Sequence, residues 1–466
     1  MEHDIIKELE GIFYPRSVAI VGVSEKANNL GYRWLKSLLD AGFPRVYPVN
    51  PKGGEMHSQK VYGSISEIPG HVDLAILIIP REAVPGVARE CAEKGTKGIV
   101  LYTSGFGESG ADGRRLQEEI VRIARRGGTR VMGPSCLGPY NPSAKLITQY
   151  VLPRQAGSVG VISHSGFLFN FLLMSVTATG IGPSKGVSCG SDCDLSFVDF
   201  LEYLGQDEQT KVIIGYLEGI SDGKRLLRVA REISKRKPII ILKGGETETG
   251  RRASASHTAT LAVPSAVWKS VCSQTGIISV DSFEELIDTL RALHYLPRTA
   301  GNRVAVVTAP GGLAVTASDA CQKLGLELPR LTRRTRGALA SLVGGLGTNV
   351  DNPIDLGPMG AMAAAYYVGE AVKLAIRDPN IDMLLTAYIG PPTFDEAKDR
   401  ETAEDFVREI GAVGKPAVFS GASLQGWDRG ELKFLAENRI PVYPEATRAA
   451  RALARLVEYS EFATGT

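Results

Sequence analysis

The sequence predicts an α/β protein built from doubly wound parallel sheets. Short apolar runs rich in β-branched residues alternate with amphipathic stretches, which is typical of parallel strands joined by helices. The first set of strand-like runs lies at 17–23, 72–80, 97–104 and 129–134. The pattern then restarts twice, with runs at 157–166, 211–219 and 237–245, and again at 303–312, 381–390 and 415–423. A chain of 466 residues also has the length expected for about three domains.

The strand pattern is interrupted at two places, where we expect domain boundaries. The segment ITQYVLPRQAG at 147–157 follows the first set, and the Pro- and Gly-containing segment 296–302 precedes the third. These interruptions predict domains at 1–145, 146–297 and 298–466. The second and third domains resemble copies of one plan, because VGVISHSG aligns with VAVVTAPGG and KPIIILKGG aligns with KPAVFSGAS.

The composition is that of a globular protein without a strong charge bias. The chain is 44% apolar and 22% charged, with a net charge of +2, which gives no support to nucleic-acid binding. No apolar run reaches the ~20 residues of a membrane span, and the acidic, amphipathic N-terminus is unlike a secretory signal. Sparse cysteines favour a reducing, cytoplasmic setting. Cys189 and Cys193 are spaced C-x3-C without a second pair, so we expect no metal.

The first strand ends in a turn typical of nucleotide-binding domains of the Rossmann-like kind. Gly22 and Ser24 precede a helical stretch, where backbone N–H groups favour phosphate. A dinucleotide would require G-x-G-x-x-G and an acidic residue after the second strand, whereas this chain has Asn50 and Lys52 there. An amide and a cation suit a phosphate-bearing ligand better than a bare ribose diol. The alternative is a domain of this fold with an empty crevice.

Two further loops, TSGFGE at 103–108 and GPSCLGP at 133–139, also follow predicted strands. Gly-rich turns at neighbouring strand ends are able to hold phosphates and to admit a thin ligand arm. Cys136 lies in the second loop and has no histidine next to it in the sequence, so we interpret it as a small turn residue and not as a nucleophile.

The second domain carries a candidate anion site and a candidate buried carboxylate. Ser163, Ser165 and Gly166 lie where a strand gives way to an apolar helix, and hydroxyls with free N–H groups there bind anions. Ser165 is equally typical of an ordinary N-cap. Glu218 ends a predicted buried strand, where a carboxylate needs a partner. If that position is solvated, Glu218 is only a loop carboxylate.

His257 lies in the stretch RRASASHTATLA at 251–262, among small and hydroxyl-bearing residues. A lone histidine is most often structural or exposed. Here Arg251 and Arg252 are close in sequence, and imidazole is able to hold a phosphoryl group as a covalent intermediate. His164 is a rival, but the positive end of the helix dipole disfavours its protonated form, and the sequence offers it no base.

Taken in order, these motifs resemble the α subunits of NDP-forming acyl-CoA synthetases, relatives of succinate–CoA ligase. The resemblance covers nearly the whole chain and rests on PRSVAIVGVS, YPVNPK, TSGFGE, GPSCLG, VISHSG, YLEGI, SHTATLA and GNRVAVVTAPGG. It implies a CoA-binding Rossmann-like domain followed by two flavodoxin-like ligase domains. A succinate–CoA ligase α subunit would have only the first two.

The resemblance implies an ADP-forming acyl-CoA synthetase. Acyl-CoA and phosphate would give an acyl phosphate, which phosphorylates His257, and a mobile loop would carry the phosphohistidine to ADP. Glu218 would orient the histidine, and Ser163, Ser165 and Gly166 would bind phosphate. CoA would lie along Gly22, Ser24, Asn50, Lys52, Ile79, Pro80, Ser104, Gly105 and Phe106. No metal ligand is implied in this chain.

The resemblance also implies a partner. An ATP-grasp β subunit would bind ADP or ATP with Mg²⁺, and an α2β2 assembly is expected. The sequence departs from the family pattern at Ser135, His164 and Ser191. Phe167 and Phe169 follow the glycine of SHSG, where the family often has small residues, so we expect them to reshape the acyl pocket, and the carboxylic acid stays open. The alternatives are a succinate-type α subunit and a non-catalytic acyl-CoA-sensing module.

Overall fold

A computed structural model describes residues 4–26, 28–252, 263–309, 311–344, 349–357, 364–388, 396–421 and 430–465. Contacts divide the chain into two compact units, Met1–Asp281 and Ser282–Thr466. The first unit contains two large sheets and the second contains one. The three sheets agree with the three sets of strand-like runs in the sequence.

The first sheet is parallel and consists of five strands. Its strands and the hairpin beside it are β1 (Val18–Val21), β2 (Val46–Val49), β3 (Glu55–Met56), β4 (Gln59–Lys60), β5 (Leu74–Leu77), β6 (Gly98–Leu101) and β7 (Arg130–Met132). The spatial order is β2-β1-β5-β6-β7, and β3 and β4 form a separate hairpin. The helices are α1 (Ile5–Phe13), α2 (Leu30–Asp40), α3 (Val84–Glu93) and α4 (Ala111–Arg126). Every residue of β1, β5 and β6 is buried, as expected for a sheet covered on both faces.

The second sheet lies in the same unit and has six strands. They are β8 (Gly138–Tyr140), β9 (Val159–Ser163), β10 (Pro183–Ser188), β11 (Val212–Leu217), β12 (Ile239–Lys243) and β13 (Ile277–Val280). The spatial order is β13-β12-β11-β9-β10-β8, and β8 runs antiparallel to β10. The helices are α5 (Gly166–Ala178), α6 (Phe197–Gln206), α7 (Gly223–Ser234) and α8 (Ser265–Thr275).

The second unit is built on a third parallel sheet. Its strands are β14 (Val304–Ala309), β15 (Ile354–Asp355), β16 (Met383–Tyr388), β17 (Ala417–Ser420) and β18 (Val442–Tyr443), in the order β15-β14-β16-β17-β18. Its helices are α9 (Phe283–Tyr295), α10 (Gly311–Lys323), α11 (Arg333–Val343), α12 (Ala364–Ile376), α13 (Glu396–Val413), α14 (Gly430–Glu437) and α15 (Ala446–Thr464).

The parallel strands of the second and third sheets follow the same order. In each, the first strand lies between the second and the third, which is the flavodoxin-like 2-1-3-4-5 arrangement. This agrees with the duplication expected from the sequence. The first sheet has the same order when the hairpin is set aside. Strand order therefore supports one plan for all three sheets and does not by itself single out the last two.

The two sheets of the first unit are joined by the segment that follows β10. Residues 191–195 run along residues 131–134, and the N–H groups of Ser191 and Cys193 donate to the carbonyls of Pro134 and Gly133 at 3.1 and 3.0 Å. The side chain of Asp194 is fully buried and pairs with Arg125 and Arg130. This joining segment fixes the second sheet against the edge of the first.

Helix α1 adds apolar contacts between the same two sheets. Phe13 stacks on Tyr203 of α6 with ring centroids 4.8 Å apart, and the Tyr203 hydroxyl donates to Glu10 at 2.6 Å. Leu9, Ile12 and Phe13 are fully buried in a core that contains residues from both sheets. The shared core explains why contacts place both sheets in one unit.

The domain boundaries predicted at 145/146 and 297/298 stay predictions. Strand β8 precedes the first predicted boundary, and it is an edge strand of the second sheet. Helix α9 precedes the second predicted boundary, and it belongs to the second unit, where it packs on α15. Among the described residues, no helix is both long and apolar enough to cross a membrane.

Gly22 follows β1 at a point where the backbone leaves no room for a side chain. Its φ is +102°, in the left-handed region that favours glycine. A Cβ there would lie 2.1 Å from the carbonyl oxygen of Ile78, the residue after β5. The absence of a side chain therefore lets the ends of β1 and β5 approach each other.

We expect Gly22→Ala to lower the free energy of unfolding of the full chain by about 3 kcal/mol. The backbone strain of a positive φ and the steric overlap of the new Cβ with the Ile78 carbonyl both contribute to this loss. Gly54→Ala is the matched control, because Gly54 has a φ of +107° and nothing within 4 Å of its added Cβ. It should lose only about 1 kcal/mol. Urea unfolding followed by tryptophan fluorescence measures both. Equal losses would show that the close approach is unimportant.

Candidate active site

The loops after β1, β5 and β6 lie at one edge of the first sheet, because all three strands are parallel. Gly22, Ile79 and Ser104 lie in these loops. Open parallel sheets bind ligands outside the carboxyl ends of their strands. Lys52, Pro80 and Ser104 are exposed, and Ser24 and Ile79 are partly buried. The structure thus places these predicted CoA-site residues at a single edge.

Two asparagines fold the loop after β1. The Asn29 carboxamide oxygen accepts from the N–H groups of Ser24 and Tyr32 at 3.1 and 2.8 Å. The Asn50 carboxamide donates to the Val23 carbonyl at 2.7 Å and accepts from the Lys52 N–H at 2.9 Å. The Asn50 side chain, predicted to face a ligand, is therefore engaged by the backbone and shapes the loop. The sequence analysis did not identify Asn29 as a residue that shapes this loop, although asparagine is a preferred N-cap residue and Asn29 lies immediately before α2.

The loop after β6, predicted as a Gly-rich turn able to hold phosphate, has part of its main chain already engaged. Phe106 is fully buried, so its ring contributes to the core and is not available to a ligand. The Glu108 carboxylate accepts from the N–H groups of Gly105, at 2.5 Å, and Phe106, at 3.2 Å. The N–H groups of two residues predicted to lie along CoA are thus already paired with an anion of the same chain. Among the three predicted residues of this loop, exposed Ser104 keeps the best access.

A cavity of about 690 Å³ lies between these strand-end loops and the start of α5. Ile79, Pro80 and Ser104 line it from the first sheet, and Gly166 and Phe167 line it from the second. The structure thus brings part of the predicted CoA site and part of the predicted phosphate site to one cavity.

Ser163 and Ser165 organise the start of α5. The Ser165 hydroxyl accepts from the Leu168 N–H at 3.4 Å and caps the helix. The Ser163 hydroxyl is buried, donates to the Ser165 carbonyl at 2.7 Å and accepts from the Ser165 N–H at 3.2 Å. The N-cap interpretation is therefore confirmed. The helix start on the cavity still offers the positive end of a dipole to an anion.

Glu218 follows β11 and is buried, with 6% of its surface exposed. Its N–H donates to His164 Nδ1 at 3.2 Å, and its carbonyl accepts from Lys243 Nζ at 2.7 Å. Tyr216 hydrogen-bonds to the Glu218 carboxylate, and burial, together with that negative charge, raises the pKa of Tyr216. Tyr216 therefore stays protonated as a donor. The expectation of a solvated loop carboxylate is wrong, because Glu218 is buried, whereas the imidazole partner expected for its carboxylate stays a prediction.

His164 is also buried, and both of its ring nitrogens are engaged. Because Nδ1 accepts from a backbone N–H, the ring proton lies on Nε2, which is 3.2 Å from Asp192 Oδ2. The sequence offered His164 no base, and the structure corrects this with Asp192. Asp192 also accepts from the Phe197 N–H at 3.1 Å. The pair ties the joining segment to the peptide bond of Glu218.

Cysteine thiols surround this pair without acting as nucleophiles. His164, Cys189 and Asp192 have ligand-type atoms within 4.8 Å of one another. The Cys189 thiol is 3.4 Å from the Ser163 carbonyl, and burial raises its pKa well above the usual range. Burial likewise raises the pKa of Cys136 to about 12. Cys136 is a buried turn residue, as expected.

His257 lies outside the described residues, as does the rest of 253–262. The described chain ends at Arg252 on one side and resumes at Val263 on the other. Arg251 precedes the gap and donates to the Glu246 carbonyl at 3.0 Å. The role predicted for His257 therefore stays a prediction.

The two phenylalanines after the SHSG glycine differ in position. Phe169 is buried, and a Cβ on Gly186 would lie 2.8 Å from its ring. Phe169 thus packs on β10, and the expectation that it shapes an acyl pocket is wrong. Phe167 lines the cavity, where that expectation stays a prediction.

Comparison with known proteins places this site in a defined class. Residues 16–142 match the family described as CoA binding domain, and residues 156–293 match the succinyl-CoA ligase like flavodoxin domain. Fold and site together therefore define a CoA-binding α/β protein of the succinyl-CoA-ligase type.

Relatives that match along nearly the whole chain narrow this class. The chain is 37% identical to the α subunit of acetate–CoA ligase [ADP-forming] II of Pyrococcus furiosus, over 97% of this chain and 98% of the relative. It resembles a solved dinucleotide forming acetyl-coenzyme A synthetase 1 of Ca. Korarchaeum cryptofilum with 33% identity and a TM-score of 0.85, covering 98% and 97% of the two chains. The chain belongs to the family of ADP-forming acetate–CoA ligase α subunits.

We expect His164→Gln to keep the free energy of unfolding within about 1 kcal/mol of the wild type. A glutamine carboxamide is able to accept from the Glu218 N–H and donate to Asp192, as the imidazole does. His164→Leu removes both interactions and leaves buried polar groups unpaired, so it should lose about 3 kcal/mol. Urea unfolding of the full chain compares the two variants. Similar losses in both would contradict the hydrogen-bonding role assigned to His164.

Proposed function

We propose that this chain is the acyl-transferring α subunit of an ADP-forming acyl-CoA synthetase. In the proposed reaction, phosphate attacks the thioester carbonyl of acyl-CoA, the C–S bond breaks, and CoA leaves as the thiolate. The acyl phosphate then gives its phosphoryl group to His257 and releases the carboxylic acid. The cavity that joins the strand-end loops of the first sheet to the start of α5 is the observation that carries this proposal.

CoA is proposed to lie along the loops after β1, β2, β5 and β6. The exposed residues Lys52, Pro80 and Ser104 would contact it directly, whereas Asn50 and Gly22 would shape the loops. Gly105 and Phe106 would contribute through the fold of their loop, since Glu108 holds their N–H groups. The match of residues 16–142 to a CoA binding domain supports this placement.

Phosphate is proposed to bind at the start of α5, near Ser165 and Gly166. Ser163 would stabilise this turn, because its buried hydroxyl hydrogen-bonds to the Ser165 main chain. The helix dipole would stabilise the charge that develops as the acyl phosphate forms. The carboxylate of Glu218 is proposed to orient the imidazole of His257, so that one ring nitrogen is the nucleophile.

The phosphohistidine is proposed to transfer its phosphoryl group to ADP on a partner subunit. That partner would have an ATP-grasp fold and bind the nucleotide with Mg²⁺, in an α2β2 assembly. Two observations support a partner. The Pyrococcus furiosus relatives are named as α subunits, and the acetate–CoA ligase of Methanocaldococcus jannaschii matches this chain over only 63% of its own length.

The two alternatives have less support. A succinate–CoA ligase α subunit of Archaeoglobus fulgidus matches 46% of this chain, whereas the ADP-forming acetate–CoA ligase α subunits match 97%. A module that only senses acyl-CoA would not need a buried carboxylate whose backbone is held by both His164 and Lys243.

We expect the full chain, incubated with acetyl-CoA and ³²P-labelled phosphate, to acquire a base-stable and acid-labile label on His257. His257→Ala should abolish the label, and Glu218→Gln should reduce its rate by about 10²-fold or more, because the imidazole loses its orienting anion. Mass spectrometry after base treatment locates the modified residue.

His71→Asn is the control for this experiment, because His71 is an exposed histidine just before β5, at the opposite edge of the first sheet from the strand-end loops of the proposed site. It should label like the wild type. If the wild type labels no better than His257→Ala, the proposed first half-reaction is wrong. If label appears on His164 in place of His257, the assignment of the two histidines is reversed.

A further inference from the structure

One wall of the cavity at the start of α5 carries three aromatic side chains. Trp34 of α2, Tyr102 after β6 and Phe167 of α5 all line it. Trp34 and Tyr102 meet edge to face with ring centroids 5.6 Å apart. Such walls favour flat, apolar groups that are able to stack or pack edge-on.

None of the described residues that line this cavity has an ionised side chain. Its polar members are hydroxyls and carboxamides, among them Thr103, Ser104 and the mutually hydrogen-bonded pair Gln149 and Asn170. A ligand carboxylate buried here would therefore lack a basic partner from this wall, which is unfavourable in a partly desolvated site.

One aromatic side chain in the wall is left open to a ligand. Phe167 is 79% exposed, and its position next to the helix start would let a bound ligand cover it.

We propose that this cavity takes the acyl group of acyl-CoA and selects an uncharged, ring-bearing carboxylic acid. Phe167 is the specificity-determining residue in this proposal. It lies one residue beyond Gly166 at the proposed phosphate site, where the acyl carbonyl must lie for phosphate to attack it. The proposal rests on the proposed function, since it takes the CoA arm to approach along Pro80 and Ser104.

The test measures binding of CoA, acetyl-CoA, benzoyl-CoA and succinyl-CoA to the full chain by equilibrium dialysis. Phosphate-free buffer prevents acyl transfer during the measurement. We expect benzoyl-CoA to bind about ten-fold more tightly than succinyl-CoA. Phe167→Ala should weaken benzoyl-CoA by about five-fold and leave CoA and acetyl-CoA within about two-fold of the wild type.

Phe171→Ala is the matched control. Phe171 lies one turn further along α5, is 43% exposed and is not among the described residues that line the cavity. It should bind all four compounds like the wild type. Both substituted side chains are on the surface, so a loss of binding in one variant alone does not arise from unfolding.

The outcomes separate this inference from the proposed function. If CoA binds but benzoyl-CoA and succinyl-CoA bind equally, the inference is wrong and the CoA site stands. If Phe167→Ala weakens CoA and benzoyl-CoA by the same factor, the aromatic wall serves CoA itself and not the acyl group. If the wild type binds none of the four compounds, the proposed function fails and the inference with it.

Discussion

The pairing of residues 191–195 with residues 131–134 is the constraint on which the site depends. Main-chain hydrogen bonds run from the joining segment to the end of β7, and the buried Asp194 carboxylate is neutralised by Arg125 and Arg130. An uncompensated buried carboxylate would be strongly destabilising, so these ion pairs hold the joining segment in place. The start of α5 consequently lies opposite the strand ends of the first sheet.

The same segment extends this order to the second sheet. Asp192 lies two residues before Asp194 and pairs with His164, which holds the N–H of Glu218. Lys243 holds the Glu218 carbonyl from the neighbouring strand. The peptide groups on both sides of the proposed orienting carboxylate are thus fixed, and one of the two supports leads back to the first sheet. A site preorganised in this way needs little rearrangement when charge develops.

Much of the fold was predictable because strands buried on both faces have a strong sequence signature. The runs around β1, β5, β6, β9, β11, β12, β14, β16 and β17 are continuous and β-branched, and all of them form strands. The short edge strands β8, β15 and β18 lack that signature, because two or three residues give no periodicity. The first two sheets share one hydrophobic core and form one compact unit. Interruptions in the strand pattern indicate where one set of strands ends, but they do not indicate that two sheets share a core.

The candidate site was predictable where a residue type is unusual for its position. A carboxylate at the end of an apolar strand identified Glu218 as a candidate buried carboxylate, and it is buried. Lys243 carries the same signal, since it ends β12 directly beside Leu217, yet the sequence analysis passed over it. Asp192 could not be found in this way, because it is an ordinary loop residue until the fold brings it to His164. Phe167 and Phe169 are two positions apart on one helix and face different sides of it. Phe167 lines the cavity and Phe169 is buried in the core, and the sequence alone does not give the helix orientation that decides this.

The antiparallel strand β8 has a consequence for how the chain is divided into parts. β8 lies within the segment that matches one family domain, and its partner β10 lies within the segment that matches the next. Either segment expressed by itself would lose one strand of this pair, and an uncovered sheet edge invites association with other chains. The two matched segments therefore form a single structural unit, and protein engineering has to keep them together.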